Sequence, residues 1–303
     1  MALRIVNTDA PLPPDLLEQA ANLPAGAPVI VMIHGFRFAP THPTACPHRH
    51  ILSLTPDLPG PRVRSWPEGL GFSHDSLTDG LAIAYGWPAL GKLRQAYGRA
   101  GMAGRGLATL VQNLAQASGR PVALIGHSLG ARVALTAIRH AAPGSINRAI
   151  LLTGAEFQDR ARMALRPDGP EILNITTREN DPFDFGFELW LTRGRLHRRS
   201  IGAGLARPHP RWLDMQIDDG QTRAALRRLG FGIGWRDQLA SHWSPYLHPG
   251  IFELYRSFLR SPQLMPLGLL AATLPEQQEP RWSRLRRLAR PAWGWRHSSG
   301  VSA

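Results

Sequence analysis

LIGHSLGARVAL, residues 124–135, places a serine between two apolar runs of different character. The run before it, residues 121–125 (PVALI), is short, branched and apolar, as expected of a strand buried on both faces. The run after it, residues 129–140, carries Val133, Ala134 and Ala137 at helical spacing and contains no proline. The segment therefore reads as strand, sharp turn and helix, with Ser128 at the apex. A strained turn of this kind points the serine hydroxyl out above the sheet. Gly126 and Gly130 lack the Cβ atoms that would collide in so tight a bend. The helix that follows aims free N–H groups and a partial positive charge at any oxyanion forming beside Ser128. Ser128 is thus a candidate nucleophile.

Outward from this turn, strand-like runs alternate with helical patterns. Strands are expected at 28–33, 81–85, 121–125, 148–153, 171–176 and 212–217, and helices at 14–23, 93–100, 106–117, 129–140, 157–165, 221–229 and 249–259. That alternation specifies an α/β fold, with a mostly parallel central sheet flanked by helices on both faces. Two long excursions interrupt it, 36–80 and 183–211, and such connections in a compact domain are usually functional loops or lids. The expected organisation is an N-terminal segment (1–27), a central domain (28–260) and a basic tail rich in Pro, Arg and Trp (261–303).

The 303 residues can bury a sizeable core. No apolar stretch approaches the roughly 18 residues of a membrane-spanning helix. The N-terminus lacks the apolar region of a secretory signal. Cys46, the single cysteine, cannot form an internal disulfide, which fits a cytoplasmic setting. A net charge of +13 suggests anionic partners, but Lys92 is the only lysine among 35 basic residues. The arginines are spread along the chain and accompany abundant Ala, Gly and Pro, a composition bias rather than a built surface. No nucleic-acid-binding motif is present, and nucleic acid is not an expected partner.

Gly126-His127-Ser128-Leu129-Gly130, between a buried strand and a helix, resembles the nucleophile elbow of the α/β-hydrolase superfamily. His34-Gly35-Phe36, closing the 28–33 strand, is similar to the H-G-x element of many lipases and esterases. The resemblance implies an oxyanion hole made by the N–H groups of Phe36 and Leu129. It implies an acid after the strand at 171–176, where Asp181 stands at the family's usual position, with Asp184 as a rival and Glu179 a weaker one. It implies a base ahead of the last helix, where His242 is preferred and His248 is the rival. AYGWPALG (84–91) and LLTGAEF (151–157) resemble segments of a bacterial group of uncharacterised α/β hydrolases. The implied activity is that of a serine hydrolase cleaving a small-molecule or lipid-like ester or thioester without a cofactor. A non-catalytic binding protein of the same fold, or an amidase or peptidase, is the alternative.

Two further features carry expectations. His42, Cys46, His48 and His50 cluster within THPTACPHRH, but no distant ligand pair completes a zinc set, so no metal is expected. Residues 281–292, drawn as a helix, place Trp282, Leu285, Leu288, Ala289 and Ala292 on one face and Arg284, Arg286, Arg287 and Arg290 on the other. With Trp293 and Trp295 following, the 281–296 segment has the pattern of a helix lying on an anionic membrane, the competing expectation being that it docks on the protein itself.

Overall fold

The computed structural model describes residues 2–58, 60–74, 77–235 and 238–288. Seven parallel strands form one sheet: β1 (Leu3–Asn7), β2 (Val29–Ile33), β3 (Leu81–Gly86), β4 (Val122–His127), β5 (Ile146–Leu152), β6 (Glu171–Thr176) and β7 (Trp212–Gln216), in the order β1-β3-β2-β4-β5-β6-β7. The six expected strands are all present. β1 is additional, and it brings the N-terminal segment into the sheet beside β3.

Eleven helices are described: α1 (Leu16–Ala21), α2 (Trp66–Gly69), α3 (Leu93–Ser118), α4 (Leu129–His140), α5 (Gln158–Arg162), α6 (Asp181–Leu191), α7 (Gly220–Arg228), α8 (Ser244–Leu247), α9 (Ile251–Arg260), α10 (Leu267–Thr273) and α11 (Ser283–Leu288). They cover both faces of the sheet. Strand alternation divides its side chains between two cores. Val29, Val31 and Ile33 of β2 pack with α3 and α4, while Ile30 and Met32 pack with α9 and α10. Among the described residues, no helix is long and apolar enough to cross a membrane.

The two helices expected at 93–100 and 106–117 are one continuous helix, α3. Gly104 sits in its interior because a Cβ there would lie 2.5 Å from Thr136 Cβ and 2.7 Å from the Val133 carbonyl of α4. Close packing of two helices, rather than a break, explains the small residue. The 36–80 excursion is anchored: Ile51, Leu52, Trp66, Leu70 and Phe72 are buried in the second core. The 183–211 excursion begins inside α6, whose second residue is Pro182, a position that tolerates proline because its missing N–H has no intrahelical acceptor.

Connections from β2 and β4 leave the sheet toward opposite edges, so the chain reverses direction between these neighbouring strands. Such a reversal opens a crevice at the strands' C-terminal ends. His34-Gly35 follows β2 and Ser128 follows β4, which sets both elements on that crevice. The all-parallel sheet, its strand order and the elbow after β4 make this an α/β-hydrolase fold.

Candidate active site

The elbow has the strain its glycines foretell. Ser128 adopts φ 55 and ψ −121, outside the regions open to most L residues. A Cβ on Gly126 would lie 2.6 Å from the Gly130 carbonyl oxygen, and one on Gly130 would lie 2.5 Å from that of Ile33. The turn is held by β5 and the segment that follows it: Ser128 N–H donates to the Leu152 carbonyl (3.0 Å), and Ala155 N–H donates to the Ser128 carbonyl (2.9 Å). Leu129 opens α4, where its N–H has no acceptor within the helix.

Gly35 lies against this turn, since a Cβ there would come within 2.8 Å of both Ser128 Cβ and the His127 carbonyl oxygen. The backbone leading into Phe36 therefore runs directly past the nucleophile candidate. His34 fixes that run. Its ring stacks on Trp87 (5.5 Å between centroids, 7° between planes). Its Nε2 accepts from Trp87 N–H (3.1 Å) and its Nδ1 donates to the Gly35 carbonyl (2.9 Å). Burial holds its pKa down to about 3, so the ring is neutral with its proton on Nδ1. The WP segment of AYGWPALG thus braces the H-G-x element.

His242 stands in the loop between α7 and α8, beside the elbow. The ring of His127, next to Ser128, is 4.6 Å from that of His242, and His127 Nε2 donates to the His242 carbonyl (2.9 Å). Thr153 Oγ1 donates to the same carbonyl (3.0 Å). Phe183 stacks on the other side of the imidazole (5.1 Å, 25°), and Arg62 covers the adjacent Trp243 at 3.2 Å. Burial, the nearby His127 and Arg62 together hold the His242 pKa well below the usual histidine value.

The partner of His242 differs from the acid the resemblance implied. Its Nδ1 donates to Asn180 Oδ1 at 2.6 Å. Asp181 is turned away: its carboxylate accepts from Trp282 N–H (2.6 Å) and faces Arg178 (3.4 Å) and Arg281 (3.8 Å). The cause is local geometry. Residues 178–180 form a single tight turn and Asp181 begins α6, so successive side chains fan out in different directions. Asp184 is buried against Gly202, and burial pushes its carboxyl up to about 7. Glu179 is buried beside Arg284 (3.5 Å) and receives the Gln238 N–H (3.2 Å). His248 stacks on Trp235 (4.3 Å) and its main-chain N–H donates to Ser244, which places it under a different wall of the loop.

The histidine cluster serves local structure. His42 Nδ1 accepts from Thr44 and Ala45 N–H groups, His48 Nε2 pairs with Asn7 Oδ1 of β1 (2.8 Å), and Cys46 is buried. Among the described residues, no three His, Cys, Asp or Glu side chains are grouped to hold a metal ion.

In the C-terminal segment, Arg281 pairs with Glu188 (2.8 Å) and Arg284 with Asp218 (2.9 Å). Arg284, expected on an outer polar face, points inward, and Leu285, expected on the apolar face, is exposed. The described part of the proposed membrane helix is therefore a strap across the domain. Ala289, Arg290, Ala292, Trp293 and Trp295 lie outside the described residues.

No protein-family model matches this chain, and no curated protein matches it. Solved structures overlap it in part. Aspergillus fumigatus lipase B is 14% identical over 55% of this chain, with a TM-score of 0.29, and the chain spans 42% of its length. Mature Bacillus licheniformis lipase BlEst2 is 15% identical over 64% of this chain and 84% of its own, with a TM-score of 0.32. The fold assignment rests on the strand order and the elbow.

Proposed function

We propose that the protein is a serine hydrolase that cleaves a carboxylic ester or thioester through an acyl-enzyme, using Ser128, His242 and Asn180. The observation that carries the reading is the strained Ser128 elbow beside a histidine whose Nδ1 proton is held by Asn180. With Nδ1 donating, the lone pair of the neutral ring is on Nε2, the atom a general base uses. Ser128 Oγ attacks the acyl carbon as His242 Nε2 takes its proton. The N–H groups of Phe36 and Leu129 receive the negative charge of the carbonyl oxygen. The imidazolium then returns the proton to the departing alcohol or thiol. Water repeats the sequence on the acyl-Ser128 ester and releases the acid. Asn180 orients the ring as a carboxylate would but does not supply a countercharge, so the imidazolium is stabilised less than beside an acid.

That missing countercharge favours one second reading, a binding protein of this fold that retains the constellation without turnover. A fluorophosphonate probe and p-nitrophenyl esters of increasing chain length separate the two. Covalent labelling at Ser128, lost in Ser128→Ala, together with turnover supports the hydrolase. A folded wild-type protein that neither labels nor turns over any of these esters overturns it.

A further inference from the structure

The His242 carbonyl receives two side-chain donors from different parts of the fold. One is His127 Nε2 (2.9 Å), from the elbow itself; the other is Thr153 Oγ1 (3.0 Å), from the end of β5. A main-chain carbonyl has two lone pairs, and here both are used. All three residues are at least partly enclosed, and His127 and Thr153 are buried. Both donors also sit on backbone that the sheet fixes. His127 is the last residue of β4, and Thr153 N–H donates to the Ile175 carbonyl of β6 (3.0 Å).

Thr153 adds a second, independent sign. Its φ is 39, a conformation that is costly for a β-branched residue and that persists only where its surroundings demand it. Its side chain spans from the strand end to the histidine loop. His127 is likewise held in one state. Its Nε2–H is committed to the carbonyl, and burial keeps the ring neutral, with a pKa of about 4. At neutral pH it therefore donates as an uncharged ring.

We propose, building on the Ser128–His242 reading above, that His127 and Thr153 are positioning residues that together clamp the His242 main chain and set its imidazole over Ser128. Asn180 controls how the ring is turned and which nitrogen carries the proton. The clamp controls where the ring stands. From the Asn180 side, the same loop is tied by Ser241 N–H, which donates to the Glu179 carbonyl (2.9 Å), and by Gln238 N–H, which donates to Glu179 Oε1 (3.2 Å). The base is thus suspended between the segment carrying the nucleophile and the segment carrying the orienting amide.

The test compares donor-deleting variants with donor-keeping ones. His127→Phe keeps a ring and Thr153→Val keeps the branched volume, but each removes one donor. His127→Gln and Thr153→Ser each keep a donor. Fluorophosphonate labelling of Ser128 and ester turnover are measured beside thermal midpoints. The expected result is that each deletion lowers the labelling rate and kcat by about 10- to 100-fold, as a displaced base does, with KM changed by less than about threefold. His127→Gln and Thr153→Ser are expected to recover most of that loss. Should His127→Phe fail to fold, the Thr153 pair decides. Wild-type protein that labels, with Thr153→Val and His127→Phe labelling equally fast, overturns the clamp and leaves the Ser128–His242 reading standing. Wild-type protein that does not label at all removes that reading, and the clamp with it.

Discussion

His242 Nδ1 lies 2.6 Å from Asn180 Oδ1, while the carboxylate of the next residue, Asp181, faces Arg178 and the Trp282 main chain. An amide therefore occupies the place where an acid would orient the base. Because the ring must be neutral to take a proton, and its pKa is held well below the usual value, the acid limb of kcat/KM is expected below the ordinary histidine range of about 6.5. Asn180→Asp puts a negative charge beside Nδ1, favours the imidazolium and moves that limb to higher pH. It should also raise the plateau rate, by about tenfold. Asn180→Ala should lower kcat by about 10²-fold or more. A limb that moves with Asp181→Asn and stays put with Asn180→Asp returns the orienting role to Asp181.

Gly35 touches the backbone turn of Ser128, the proposed nucleophile, where an added Cβ would lie 2.8 Å from Ser128 Cβ. Gly35→Ala should displace the backbone leading into Phe36, whose N–H is the proposed oxyanion donor. Losing one oxyanion donor typically costs about 10²-fold or more in kcat. The expected pattern is a large fall in turnover with a folded protein by circular dichroism, and turnover within about threefold of wild type would remove Phe36 from the oxyanion hole.

Asp184 is buried, its carboxyl pushed up to about 7 by that burial. Because its folded pKa exceeds its unfolded one, the proton it holds stabilises the fold at low pH. That contribution is lost as pH rises from about 4 through 7. Asp184→Asn, which cannot ionise, should therefore gain stability relative to wild type by on the order of 2 kcal/mol more at pH 8 than at pH 5. Urea melts at the two pH values measure it. An equal difference at both would mean that Asp184 is ionised throughout.

Arg281 answers Glu188 in a nearly enclosed pair (2.8 Å) and stands near Asp181 (3.8 Å). Arg281→Leu leaves buried carboxylates without their cation and should cost about 3 kcal/mol, whereas Arg281→Leu combined with Glu188→Leu should recover much of it. If the single variant melts with the wild type, the strap contributes nothing to the domain.

Much of this architecture can be read from residue order. The branched, apolar runs that became β2 to β7 carry little else, and a G-x-S-x-G turn between a buried strand and a helix has few other uses. β1 escaped because LRIVN is short, contains Arg4, and lies at an edge where a strand need not be apolar throughout. α3 looked broken because Gly101, Gly104 and Gly106 oppose helix formation locally, while Gly101 and Gly104 allow contact across to α4 and Gly106 faces Tyr85 of β3. The side chain that meets His242 differs from the expected one by a single position. Asn180 and Asp181 are adjacent, and only the tight turn at 178–180 decides which of them meets His242. Thr153 carried no sign at all in one dimension. Its role exists only because β5 ends where the histidine loop returns, 89 residues later.

The strap also sets an order of events during synthesis. Trp282, whose main chain closes on Asp181, leaves the ribosome 101 residues after it. Until then Asp181 and Glu179, on either side of Asn180, stand without Arg281 and Arg284. Elbow and sheet can form while the chain is still growing, and the strap is the last described element to arrive. If the strap helps to hold the 178–181 turn, a released chain truncated after residue 275 should carry a formed elbow that reacts slowly with a fluorophosphonate, and labelling as fast as in the full chain would show that the strap has no part in placing His242.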